Sequence, residues 1–193
     1  TPLSWQVRSG VWAGGTTCIS PSSSQWFVGG SADITSKGSL ILANSGLGKA
    51  LVAVTVYTEK GPQAEQIFAI KANSILSMQL ASLAPGSKSL AIHVAPQTGR
   101  VNAFLIDERG RGLQALGGDT VNSIPEASKQ LTIPAIPQQT GKKSSLPHTL
   151  RILVPGEVGT TIKVVISSTD GTFSPAGVDG RSIPAGRVID IPL

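Results

Sequence analysis

The stretch Leu40-Ile41-Leu42-Ala43-Asn44-Ser45-Gly46-Leu47-Gly48-Lys49-Ala50-Leu51-Val52-Ala53-Val54-Thr55-Val56-Tyr57 decides the fold. From Val52 onward the residues alternate, with Val52, Val54 and Val56 on one side and Ala53, Thr55 and Tyr57 on the other. That is the period of a half-buried strand. Ser45 to Gly48 separates two apolar runs and reads as a hairpin loop with glycines at positive φ. Gly and Pro are abundant (22 and 13 residues) and helix formers rarely group with a 3.6-residue period, so an all-β fold is expected.

The same stretch occurs twice. Residues 40 to 61 align without a gap, at an offset of 110, with residues 150 to 171, so that Val52, Val54 and Val56 fall on Ile162, Val164 and Ile166, and Gly46 falls on Gly156. Further on, Ile70-Lys71-Ala72 and Ile75 to Leu80 match Ile183-Pro184-Ala185 and Val188 to Leu193 at an offset of 113, a three-residue insertion in the second copy. The match also runs backwards. Arg8-Ser9-Gly10-Val11 and Gly14-Gly15 fall near Arg109 to Leu113 and Gly117-Gly118, and Gln25-Trp26 falls on Gln130-Leu131. The expected architecture is a tandem duplicated β-sandwich of units about one hundred residues long, the size of an immunoglobulin or fibronectin module. The first unit is placed at 4–107 and the second at 108–193. In the first unit two more strand-like runs follow Leu80, Ser89 to Ala95 and Arg100 to Ile106, whereas the second stops at the equivalent of Leu80. The second copy therefore lacks its last strands. Either about 25 to 30 further residues are expected beyond Leu193, or strand-mediated association at its edge.

Charge and composition exclude several classes. The net charge of +5 is spread as +3 over residues 1 to 107 (7 Lys/Arg, 4 Asp/Glu) and +2 over 108 to 193 (9 and 7). With aromatics at 4% there is no basic, aromatic-studded stripe for nucleic acid. No apolar run approaches the roughly 20 residues of a membrane-spanning helix, so no membrane insertion of this segment is expected.

Catalytic motifs fail on inspection. Ser45-Gly46-Leu47-Gly48-Lys49 ends like a phosphate-binding loop, but Ala43 and Ala50 occupy the first glycine and Ser/Thr positions and a strand follows. The histidines, His93 and His148, have no second ligand at metal spacing, and no nucleophile elbow is present. Cys18 is alone, so it has no partner for an internal disulfide; it reads as a small buried residue, with a thiol dyad to His93 as a remote alternative. Asp107-Glu108, flanked by Arg109 and Arg111, reads as a charged junction between the copies. No catalytic residue, cofactor or metal is assigned. Trp26 falls on Leu131 in the repeat and is expected in the core. Trp5 and Trp12 fall on non-aromatic positions and are the candidates for an exposed binding contact.

The motifs Gln25-Trp26-Phe27-Val28-Gly29-Gly30, Leu40 to Asn44, Ser89-Leu90-Ala91-Ile92-His93-Val94 with Gly99-Arg100-Val101, and Asp170-Gly171-Thr172-Phe173-Ser174-Pro175-Ala176-Gly177 resemble those of a family of uncharacterised exported actinobacterial proteins, a domain of unknown function. The resemblance implies export and an extracellular or cell-envelope setting, and it transfers no catalytic residue. The expected function is a non-catalytic envelope module that scaffolds or binds a surface glycan or an envelope-assembly protein. The alternative is a hydrolase acting on wall polysaccharide. A crevice gathering two acids, or His93 with a hydroxyl, would favour the hydrolase, and a flat surface carrying Trp5 and Trp12 would favour binding.

Overall fold

A computed structural model describes residues 3–8, 12–134 and 148–193, the first segment as backbone only. In chain order the strands are β1 (Leu3–Arg8), β2 (Trp12–Thr17), β3 (Gln25–Val28), β4 (Ser39–Asn44), β5 (Ala50–Thr58), β6 (Gly61–Pro62), β7 (Gln66–Ile70) and β8 (Ser74–Gln79). A single helical turn, α1 (Leu80–Leu83), leads to β9 (Leu90–Thr98), β10 (Asn102–Arg111) and β11 (Gln114–Val121). The later part holds β12 (Thr149–Leu153), β13 (Thr160–Thr161), β14 (Ile166–Ser168), β15 (Gly171–Phe173), β16 (Ser182–Ile183) and β17 (Val188–Pro192). The chain is all-β, and its strands pair antiparallel.

Two sheets enclose the main core. One has the order β11-β10-β4-β8; the other has the order β3-β9-β5, with β6 and β7 both on β5. The alternation in β5 is realised as read: Val52, Val54 and Val56 are 0–2% exposed and face Leu40, Leu42, Ala103 and Leu105 of the opposite sheet in one cluster with Phe27, Leu90, Ile92 and Val94. Burying a valine or leucine here is worth about 1.5–3 kcal/mol, which fixes the register because a one-residue slip would turn the whole row outward.

Ser45 to Gly48 is not a hairpin loop. It carries the chain from β4 in one sheet to β5 in the other, and neither Gly46 nor Gly48 has positive φ. The turn is held by Asn44 instead. Its buried amide donates to the carbonyls of Gly48 (2.8 Å), Ile70 (3.2 Å) and Lys71 (3.1 Å), while its Oδ1 accepts from the Gly46 N–H (2.9 Å). Position 107/108, placed between units by the repeat, lies inside β10, and β11 pairs onto that strand from Leu105↔Val121 to Arg111↔Gln114.

The later strands form three two-stranded ladders, β12–β17, β13–β16 and β14–β15. Val178, Ile183 and Ile191 are buried between them, with Leu150, Ile152, Ile162 and Val164 packed alongside. This second cluster is far smaller than the first, and Val158, Val165 and Phe173 stay exposed around it.

Candidate functional site

The outer face of the five-stranded sheet carries the densest group of chemically capable side chains. In β3, Gln25 and Phe27 turn inward and Trp26 turns outward, half-buried. Trp26 is thus not a core residue, and its repeat counterpart Leu131 is 66% exposed. The strand's phase, fixed by Phe27 in the core, outweighs the apolarity of the indole. Trp26 lies directly across from His93 of β9, and the rings stack at 3.9 Å with planes 13° apart. Tyr57 of β5 sits 5.8 Å from Trp26 on the same face. Thr55, opposite His93 in the ladder, donates a long hydrogen bond to Glu65 Oε2 (3.4 Å).

Burial lowers the His93 pKa below its ordinary 6.5 and outweighs the opposing pull of Glu65. Burial, helped by Glu65, raises that of Tyr57. His93 Nε2 is 3.1 Å from Ser24 Oγ, and Ser24 Oγ also donates to the Pro125 carbonyl at 3.2 Å. A carbonyl only accepts, and a hydroxyl has one proton. When Ser24 gives that proton to Pro125, His93 must be the donor to Ser24, so the ring does not act as a base toward the hydroxyl.

The Trp candidates fall elsewhere. In β1–β2 position 5 is opposite Gly15, and Trp12 is opposite Arg8. The alternation of the ribbon assigns positions 5 and 12 to opposite faces, so they do not make one flat platform. The side chain of Trp5 and residues 9–11 lie outside the described residues. Trp12 is half-buried with its indole over Gly118, and its Nε1 is buried without a hydrogen-bond partner among the described residues. β2 and β11 approach closely at glycines: a Cβ on Gly14 would meet Asp119 at 2.7 Å and one on Gly118 would meet the Trp12 ring at 2.8 Å.

The charged junction is a connected network that sequence reading located without seeing its second half. Arg109 grips Asp107 with two bonds (2.6 and 2.7 Å), and Asp107 accepts from the Gly30 N–H (3.0 Å). Arg151 donates to the Gly30 carbonyl (2.6 Å) and grips Asp190 with two bonds (2.7 and 2.8 Å), while Ser89 donates to Asp190 (2.6 Å). Beside it an open cleft of about 680 Å³ is lined by Asp33, Asp107, Arg109 and Asp119. Asp33 is held below the usual carboxylate range, first by the Thr35 N–H and then by its hydroxyl. Asp33, held ionised by these bonds, is poorly suited to donate a proton to a glycosidic oxygen.

Among the described residues no group of three His, Cys, Asp or Glu is placed to hold a metal. Cys18 is exposed rather than buried, and His93 has Ser24, not the thiol, as its partner. The loop Ser45 to Lys49 lines a shallow depression of about 400 Å³ with Arg100; the Gly46 amide is already taken by Asn44 and a strand follows, so no phosphate cradle is formed. Among the described residues no helix is long and apolar enough to cross a membrane.

No curated protein matches the chain. Among solved structures it is similar to a Thermotoga maritima protein, described as Thermotoga maritima 1070, at 19% identity and a TM-score of 0.48 over 56% of this chain and 97% of that one. It is also similar to the Anabaena sensory rhodopsin transducer, at 14% identity and a TM-score of 0.37 over 45% of this chain and 99% of that one. Neither is close enough to bear on function. The whole of residues 3–193 matches one family model, described as "Family of unknown function (DUF5719)", and the chain belongs to that family.

Proposed function

We propose that this chain is a non-catalytic module of the cell envelope, a tandem duplicated β-sandwich that binds a surface glycan or an envelope-assembly protein through the outer face of its five-stranded sheet. The observation that carries the reading is the outward aromatic group of Trp26, His93 and Tyr57, half-buried and flanked by Thr55, Glu65 and Ser24. Aromatic faces bordered by hydroxyls and a carboxylate suit ligands with apolar C–H faces and many hydroxyls. Centring the contact on Trp26 departs from Trp5 and Trp12, because Trp12 is spent on Gly118. The envelope setting and export rest on the motif resemblance alone.

Support for duplication comes from strand register. Leu40↔Met78, Leu42↔Leu76 and Ala50↔Ile70 become Leu150↔Ile191, Ile152↔Ile189 and Thr160↔Ile183 under the offsets of 110 and 113. The tight turns agree as well: Thr58↔Gly61 becomes Ser168↔Gly171, and in each the hydroxyl donates to the glycine carbonyl.

The test is retention on isolated cell walls and on a purified envelope polysaccharide. Trp26→Ala should lose most of the retention while its circular dichroism stays that of an all-β chain, and Trp12→Ala, if folded, should keep it. Equal retention for Trp26→Ala and the unaltered chain would remove this reading. The hydrolase reading has two observations in its favour, the Ser24–His93 contact and the cleft lined by Asp33, Asp107 and Asp119. It requires wall-polysaccharide hydrolysis that Ser24→Ala abolishes, and we expect no turnover to abolish.

A further inference from the structure

The run from Thr160 to Ser168 has the alternation of β5 without its continuity. β5 is one strand of nine residues, bound by β6 and β7 on one side and by β9, from Leu51↔Thr98 to Thr58↔Leu90, on the other. The equivalent run is a strand only at Thr160–Thr161 and Ile166–Ser168, and it pairs only toward β15 and β16. Its apolar row suffers accordingly. Ile162, Val164 and Ile166 are only partly buried. The Ile162 N–H donates to the Arg181 carbonyl and its own carbonyl accepts from the Gly180 N–H, both at 3.0 Å. Adjacent residues of a strand send these groups to opposite sides, so Thr161, Lys163 and Val165 present theirs to the open edge, where no described residue pairs with them.

We propose that this edge accepts an extended polypeptide strand of about nine residues, apolar at alternate positions and antiparallel to Thr160–Ser168, in the place that β9 takes beside β5. The inference rests on the duplication described above, which supplies the occupant's pattern: Leu90, Ile92 and Val94 of β9 point into the first core, and a donor with the same alternation would cover Ile162, Val164 and Ile166. A second copy pairing through the same edge is disfavoured by Lys163. In a symmetric antiparallel pairing centred there, Lys163 would face Lys163, and like charges directly opposite are destabilising. The position equivalent to Lys163 is Ala53, which faces Ala95 of β9. A donor suited to this edge therefore carries a small or acidic residue there.

The experiment is amide hydrogen exchange on the full chain with a large excess of a synthetic peptide of residues 88 to 98. The amides of Thr161, Lys163 and Val165 should exchange about tenfold more slowly with the peptide than without it. Val165→Pro deletes one edge donor and leaves the Ile162 bonds to Arg181 and Gly180 in place, so it should abolish that slowing while Ile162 and Gly180 stay protected. Edge amides indifferent to the peptide, or slowed equally in Val165→Pro, overturn the proposal. Protection that grows with protein concentration in the absence of peptide also overturns it, by making a second copy the occupant. Fast exchange at Ile162 and Gly180 in the free chain is a distinct result, because it removes the duplicated register rather than the donor strand.

Discussion

His93 is pressed between a tryptophan ring and a β-ladder, and burial there favours the uncharged imidazole over Glu65's opposing charge. Its folded pKa lies under the ordinary 6.5, so the stability it contributes is complete above that value and is lost as pH falls through the folded one. An NMR titration should give a midpoint below 6.5, and Trp26→Ala, which opens the ring to water, should raise it. A midpoint at or above 6.5 in the unaltered chain would contradict the buried stack. Gly118 is a second test at this scale: Gly118→Ala places a methyl 2.8 Å from the Trp12 ring, should cost about 1–3 kcal/mol in denaturant unfolding, and should red-shift tryptophan emission as Trp12 moves outward. Little of the candidate site was legible in the sequence. His93 lies in the strand-like run Ser89 to Ala95, but its partners Ser24 and Trp26 lie 69 and 67 positions away and no local spacing announces them. The apolarity of Trp26 points to burial, but the phase of β3, set by the buried Phe27, turns it outward; Cys18, whose residue type likewise points to burial, is exposed.

At the scale of elements, periodicity was the reliable signal. The alternation of β5 and the runs that became β9 and β10 could be read directly, because a strand with one buried face writes its period into the sequence. What could not be read was which strands pair. Ser45 to Gly48 has the composition of a hairpin loop, yet β4 and β5 belong to different sheets, a choice made by tertiary contacts of Asn44 with Ile70 and Lys71. Asn44→Ala would strand those carbonyls and the Gly46 amide, at a cost of about 2–4 kcal/mol in denaturant unfolding. A loss under about 0.5 kcal/mol would show that water replaces the side chain without penalty. Positions matched at the offset of 110 should also respond unequally. Val54→Ala removes methyl groups from a site 1% exposed and should cost about 2 kcal/mol, whereas Val164→Ala, in the smaller and partly open cluster, should cost about half as much. Equal costs would mean that the second cluster is as closed as the first.

At the scale of the whole molecule, the later ladders are tied to the two main sheets by the Arg151, Asp190, Ser89 and Gly30 network. Gly30 is its hinge point: its N–H reaches Asp107 and its carbonyl reaches Arg151, so one peptide segment couples both arginine–aspartate pairs. The charges near residue 108 read as a junction in the sequence, but position 107/108 lies inside β10, and β11 pairs onto that strand. The network makes attachment of the later ladders depend on pH. Burial pushes the Asp190 carboxyl up, but hydrogen bonds from Arg151 and Ser89 and the charges of Arg151 and Arg109 outweigh it and hold the pKa below 3.8. A depressed carboxylate pKa means the folded state binds its proton more weakly than the unfolded chain, so stability is full above about pH 4 and declines as pH falls toward the folded value. Between those limits the Arg151 contacts should loosen before the first core unfolds, since the buried residues of that core are apolar and the titrating His93 lies on the outer face of β9. Amide exchange at β12 and β17 should therefore accelerate below about pH 4 while β5 and β9 remain protected. Asp190→Asn should produce the same acceleration at neutral pH and abolish the acid dependence, because an amide keeps the shape but gives Arg151 no charge to grip. If β12 and β17 stay protected to pH 3 in the unaltered chain, or if Asp190→Asn exchanges like it at pH 7, the network does not hold the two parts together.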